Sequence, residues 1–218
     1  MNLGGHIGAG WLLAHAAALD RFERRYVLAL ALLPDIDGLF LLWRGSLDHW
    51  HRTFGHNVWL WLAAPLVALA FVRRGRRLAM LGLFYAAIAS HVVLDLVGTG
   101  WWGLYPLWPV GDFEILMSDW IAEDTMKYGI QPALLVFFLA AMVWLYVRHR
   151  RTPLEALSPA VDALLVNFVL LPWRHRCGEC GRLAFYRCTH CGRPLCPHHR
   201  AVNRRFEVAC RPLCPEVG

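Results

Sequence analysis

Cysteine is missing from the first 176 residues of this chain, and all seven cysteines follow. That absence excludes both a disulfide framework and a thiolate metal site from most of the sequence. Charge is also scarce, at 17% against 57% hydrophobic residues, and the mean hydropathy is +0.38. Few soluble domains have that balance, whereas small polytopic membrane proteins do. The first apolar run has no basic stretch ahead of it and carries His6, which argues against a cleaved signal peptide. No aromatic-basic groove motif accompanies the arginines, so nucleic acid is disfavoured as a partner despite the net charge of +6.

What is present is a series of apolar runs punctuated by arginine. Residues 3–19, 26–43, 57–72, 78–98 and 130–147 read as helices. Arg21, Arg24 and Arg25, then Arg73, Arg74, Arg76 and Arg77, then Arg148, Arg150 and Arg151 each abut the end of a run. Clusters of that kind mark cytoplasmic loops facing anionic lipid. Placing all three inside gives five crossings of consistent parity and a cytoplasmic tail. Several runs fall short of the roughly 20 residues a span needs, so the first is expected to be tilted, re-entrant or packed inside the bundle. Between 99 and 129 lies an aromatic and acidic connection with Trp101, Trp102, Tyr105, Trp108 and Trp120, the composition of an interfacial belt.

Metal-binding side chains interrupt this apolar background in four places: Gly5-His6-Ile7, Leu33-Pro34-Asp35-Ile36-Asp37-Gly38, His51-Arg52-Thr53-Phe54-Gly55-His56 and His91-Val92-Val93-Leu94-Asp95. At the centre of a span Asp35, Asp37 and Asp95 together cost on the order of 8–10 kcal/mol. Cations shared among carboxylates and imidazoles offset that cost. His91 and Asp95, four apart, share one helix face. Asp35 and Asp37 flank a Pro-initiated break, and His51 and His56 read as ligands on a loop. Parity sets all four pieces in the outer half of the membrane, which is the pattern of one site. The metal ligands expected there are His6, Asp35, Asp37, His51, His56, His91 and Asp95, around one or more divalent ions. Nitrogen and oxygen donors without thiolates suit Zn, Mn or Fe. Arg52 is placed to stabilise phosphate charge, and Asp35 or Asp37 can act as a base instead of a ligand. A lone membrane His or Asp is more often a packing residue or a proton relay, so the metal reading rests on the set.

In order and spacing these pieces resemble the YdjM-like family of inner-membrane, predicted metal-dependent hydrolases, over residues 1 to about 110. The shared pattern is Gly5-His6, Leu33–Asp37, His51–His56 and His91–Asp95, then a Gly-rich aromatic segment from Gly100 ending at Leu107-Trp108-Pro109. That family is in turn similar in its His and Asp motifs to zinc-dependent phospholipase C. The resemblance implies hydrolysis of a phosphoester, lipid-linked or small, by metal-activated water. One departure stands out: Gly55-His56-Asn57 occupies the place of the family's Thr-His-Ser. The phospholipase's N-terminal amine ligand has no counterpart either.

The tail runs Cys177-x2-Cys180-x7-Cys188-x2-Cys191-x4-Cys196-x2-His199-x10-Cys210-x3-Cys214. Two Cys-x2-Cys knuckles among eight ligands predict two structural zinc ions in a cross-brace. Cys177, Cys180, Cys196 and His199 would share one, and Cys188, Cys191, Cys210 and Cys214 the other, with His198 as an alternative to His199. The spacing from Cys188 to His199 resembles AN1-type zinc fingers. An odd cysteine count, a His at ligand spacing and a cytoplasmic placement argue against disulfides. Arg193, Arg200, Arg204 and Arg205 would give this module a basic surface for docking a protein partner.

The sequence thus predicts an all-α polytopic membrane bundle of about five helices over 1–150, a linker with a short amphipathic segment over 151–175, and a double-zinc finger over 176–218. Its expected setting is the cell (inner) membrane, in contact with the lipid bilayer, with the site toward the outer face. The expected function is a membrane-embedded metal-dependent hydrolase. The competing readings are a metal or proton transporter, and a non-enzymatic scaffold acting through the finger.

Overall fold

The computed structural model describes residues 3–38, 53–99, 103–166, 175–184, 186–188, 191–202 and 208–210. The chain divides into two compact units, Met1–Trp144 and Leu145–Gly218. The described residues are mostly helical, and among them short strands occur only at the cysteine-rich end.

In the first unit, α1 (Leu3–Ala16) and α2 (Arg21–Leu32) pack on each other and on α4 (Arg77–Thr99), with α3 (Val58–Ala68) also against α4. Helix α2 starts on a capping box. The Asp20 carboxylate accepts from the Phe22 and Glu23 N–H groups at 2.8 and 3.0 Å, and the Glu23 carboxylate accepts from the Asp20 N–H at 2.9 Å. It ends where Pro34, lacking an N–H, hands the chain to a 3₁₀ turn, Leu33–Asp37. Helix α3 is capped by Asn57, whose Oδ1 accepts from the Leu60 N–H at 2.8 Å. Gly8 and Gly10 allow α1 to lie close: an added Cβ would stand 2.6 Å from Phe138 Cβ and 2.6 Å from Ala31 Cβ, respectively. Each helical glycine costs about 1 kcal/mol relative to alanine, and here closer packing offsets it. Trp11, Val27, Met80, Phe84 and Ala87 are fully buried.

Among the described residues, two helical stretches are long and apolar enough to cross a membrane, Arg74–Gly98 and Thr125–His149. The second runs from a π-helical turn, Thr125–Ile130, into α5 (Gln131–His149), and exposes Val136, Phe137, Val143 and Trp144. An exposed apolar surface of that extent fits lipid better than water. Five full spans do not emerge among the described residues. Helices α1 and α2 have 14 and 12 residues, about 21 and 18 Å at 1.5 Å per residue against about 30 Å of hydrocarbon. Pro34 is the physical reason for the shortness of α2. The aromatic connection is ordered by a bridge between Leu104 and Ile115, with N–H to O distances of 3.1 and 2.9 Å. Trp120 there is 81% exposed; Trp101 and Trp102 lie outside the described residues.

The second unit holds α6 (Pro159–Leu164) and three small antiparallel hairpins. Thr152 donates from its N–H and its hydroxyl to Asp162 Oδ1, at 2.8 and 2.6 Å, which closes the segment between them. The hairpins pair β1 (His175–Arg176) with β2 (Leu183–Ala184), β3 (Tyr186–Arg187) with β4 (Pro194–Leu195), and β5 (Arg200–Val202) with β6 (Val208–Cys210). Strands this short cannot stand alone in water.

Candidate metal centre

Local structure sets each donor of the first unit. On α4, His91 and Asp95 are one turn apart, and His91 Nε2 lies 3.4 Å from Asp95 Oδ2. The 3₁₀ turn separates Asp35 from Asp37, because residues two apart point in different directions at three residues per turn. Asp35 Oδ1 lies 3.4 Å from His91 Nε2, whereas Asp37 Oδ2 faces the other imidazole, 3.2 Å from His56 Nδ1. His56 is held by its neighbours. The Asn57 cap starts the next helix, and the Gly55 backbone lies so close to the 3₁₀ turn that an added Cβ would stand 1.8 Å from the Pro34 carbonyl oxygen. The departure Gly55-His56-Asn57 is therefore a coherent local solution: glycine for the close approach, asparagine for the cap.

His6, His56 and His91 are fully buried, and Asp37 and Asp95 nearly so. His91 Nδ1 is 2.7 Å from the Ala31 carbonyl oxygen, which only accepts, so Nδ1–H is the donor there. His56 Nδ1 likewise donates to the Asp37 carboxylate. In the neutral rings both Nε2 atoms then carry lone pairs. Those two atoms are 3.3 Å apart. Asp95 Oδ2 is 3.0 Å from His56 Nε2, and Asp95 Oδ1 is 3.1 Å from His6 Nε2. The His6 and His91 rings stack with centroids 3.7 Å apart, and His6 Nδ1 is buried with no hydrogen-bond partner among the described residues. Acceptors thus face acceptors at van der Waals range. Only positive charge among them, protons on the rings or a bound cation, makes this favourable. A ring fixed through Nδ1 by a carboxylate or carbonyl, with Nε2 turned inward, is the arrangement that holds a metal-binding histidine in place.

One ligand atom from each of His6, Asp35, His91 and Asp95 lies within 4.8 Å of the others, so this group can hold a metal ion. His56 adjoins it through Asp95 and His91, and Asp37 stands behind His56. Asp35 is the member open to the outside, with 24% of its side chain exposed against 3% for Asp95. His51 and Arg52 lie outside the described residues. His15, by contrast, is bound within its own helix, Nδ1 3.0 Å from the Trp11 carbonyl oxygen.

The second unit gathers two thiol-rich groups, Cys177, Cys180, Cys196 and His199, and Cys188, Cys191 and Cys210, each with ligand atoms within 4.8 Å of one another. Both can hold a metal ion, and zinc suits the thiolate donors. His199 occupies the histidine position of the first group, and Cys214 lies outside the described residues. None of the six described cysteines is in a disulfide. Burial raises the Cys177 thiol, but backbone donors at Cys196, Glu179 and Cys180 and the His199 ring outweigh it and bring it down to about 6. The thiols of Cys177 and Cys196 in turn raise His199. A feature beyond the ligand spacing is a repeat, Arg176-Cys177-x2-Cys180-Gly181-Arg182 and Arg187-Cys188-x2-Cys191-Gly192-Arg193. Each glycine has positive φ, 70° and 69°, and each leading arginine donates to that glycine's carbonyl, at 3.1 and 3.0 Å. Within the expected basic surface, Arg193 pairs with Glu179 at 2.5 Å and Arg200 stacks over Tyr186 at 4.0 Å.

A family model described as YdjM inner membrane protein matches residues 1–174. Comparisons with curated proteins and with solved structures find no match.

Proposed function

The chain belongs to the YdjM inner membrane protein family, and from that premise we propose that its first unit is a membrane-embedded, metal-dependent hydrolase acting on a phosphoester, lipid-linked or small. The observation that carries this reading is the convergence of His56 Nε2 and His91 Nε2 on Asp95 Oδ2, with both Nδ1 sides tied to acceptors. His6, Asp35, His91 and Asp95 would hold a divalent ion, with His56 beside them. Bound there, the ion supplies Lewis-acid activation of water and of a phosphoryl oxygen.

The chain's own groups do the rest. Asp37 and the Ala31 carbonyl orient the two imidazoles, and the buried His6–His91 stack keeps bulk water from the inner side. Asp35 is the partly exposed carboxylate, and where it acts as base instead of ligand it would receive a proton on the open side. Arg52 is assigned phosphate binding from its place beside His51. Among the described donors Asp35 alone is open to the outside, which favours hydrolysis over transport, because transport needs access from two sides.

The site belongs at the outer face and the tail in the cytoplasm. Support for that sidedness comes from Arg76, which donates to Glu23 Oε2 at 2.7 Å and to the Ala18 carbonyl at 3.0 Å, so the two leading arginine clusters share one end. The tail would then serve as a docking module for a cytoplasmic protein. The test of the catalytic reading is phosphate release by purified protein from a soluble phosphomonoester and from phospholipid micelles, with Zn, Mn or Fe supplied. Metal-dependent turnover that falls at least 100-fold in Asp35→Asn is expected. Absence of turnover on both substrate classes with every metal would refute it.

A further inference from the structure

The cysteine-rich end carries a second inference, independent of the reading of the membrane site. A tetrahedral zinc ion, with bonds of about 2.3 Å to sulfur and about 2.0–2.1 Å to nitrogen, has ligand-to-ligand edges of about 3.5–3.8 Å. In the first group Cys180 Sγ and Cys196 Sγ are 3.6 Å apart, and His199 Nδ1 is 3.4 Å from Cys196 Sγ and 3.7 Å from Cys177 Sγ. In the second, Cys191 Sγ and Cys210 Sγ are 3.4 Å apart. These distances lie close to the edges of a zinc polyhedron and far from a sulfur–sulfur bond, which measures about 2.0 Å.

Chain order makes the groups interleave. The first takes its ligands from the β1–β2 turn and from the segment after β4; the second takes them from the β3–β4 turn and from β6. Strand β4 is the shared piece. Leu195 is fully buried in the cluster of Cys188, Val208 and Cys210, while the next residue, Cys196, packs with Cys177 and Ala184. Cys196 continues the extended backbone just past β4, and adjacent extended residues point to opposite faces, so β4 and the residue after it serve both groups. The Gly178 N–H also donates to the Pro194 carbonyl at 3.0 Å, tying the first turn to β4 directly. Two clusters of a few residues each cannot fold on apolar burial alone, so ligation would supply the folding energy.

We propose that this end of the chain binds two zinc ions in interleaved sites and that β4 couples them, so that both sites form and release metal as one unit.

The test uses the full-length protein in detergent with Co²⁺ in place of zinc. Only this end supplies thiolates, so thiolate-to-cobalt charge-transfer absorption reports it separately from the membrane site. Wild type should hold two thiolate-bound cobalt ions per chain. Cys180→His should keep both ions and lose one thiolate's share of the absorption, which shows the fold intact. Cys177→Ser with Cys180→Ser should empty the first site and weaken the second at least tenfold in chelator competition. Leu195→Ala, which retains every ligand, should weaken both sites several-fold. One thiolate-bound ion per wild-type chain would overturn the two-site assignment. Second-site affinity within twofold of wild type in the double-serine variant, or a Leu195→Ala effect on one site alone, would overturn the coupling.

Discussion

The two donor-rich regions solve one problem by opposite means. The membrane group uses nitrogen and oxygen donors from four chain segments, with 89 residues between His6 and Asp95. It is held by helices whose stability has other sources. The cysteine-rich group uses mainly thiols, gathered within some twenty residues apiece and tied by two-residue strands. In the first the fold gathers the donors; in the second the strands are too short to do so alone, and a bound metal would make the fold. The difference teaches that donor spacing reveals a whole ligand set only where the chain is too short to position donors in any other way; in the helical unit it reveals no more than the His91/Asp95 pair.

Experiments can press on that contrast from its strongest point downward. Stripping metal from the full-length protein should unfold the cysteine-rich end, since structural zinc contributes on the order of 10 kcal/mol to such modules. The cysteines should become alkylatable together, while helical circular dichroism stays near its starting value. Thiols that stay protected after chelation would erase the distinction. Asp95→Ala removes the carboxylate shared by three imidazoles and leaves buried polar groups facing one another. A loss of about 3–5 kcal/mol is expected in detergent unfolding, with cobalt at the cysteine-rich end unaffected. Gly55→Ala must push against the Pro34 carbonyl, at a cost of about 1–3 kcal/mol and with reduced metal occupancy of the membrane site. Asn57→Ala should cost about 1 kcal/mol through the lost cap, whereas Asn57→Ser should be nearly neutral. Finally, His199→Ala should weaken zinc binding where His198→Ala does not, as read by chelator competition; equal effects would remove His199 from the ligand set.

Much of this was open to reading in the chain, unevenly. The His91/Asp95 pair follows from helical periodicity, and the break at Pro34 from proline chemistry. The parity of the arginine clusters placed His6, Asp35, His56 and His91 at one depth, and the structure brings these four together. Asp35 and Asp37 read as a pair in sequence but serve different imidazoles, because residues two apart on a helical turn point in different directions. The Ala31 carbonyl that orients His91 has no side-chain signature, so no pattern could have nominated it. Gly55 read as a departure from the family pattern and proves to be demanded by a contact with a turn twenty residues away in sequence. Five full spans do not emerge among the described residues, since apolar content marks a helix but not its length; α1 and α2 stop well short of a bilayer. At the cysteine-rich end the repeated Arg-Cys-x2-Cys-Gly-Arg unit was visible in the letters, and its positive-φ glycines follow from it.

The most direct test of the central idea, that buried imidazoles and carboxylates of the first unit share a cation, is metal content per chain in purified full-length protein beside the His91→Ala, Asp95→Ala double variant. The account predicts that the variant loses the membrane-site metal and retains only the zinc of the cysteine-rich end. Equal metal content in the two proteins would contradict it.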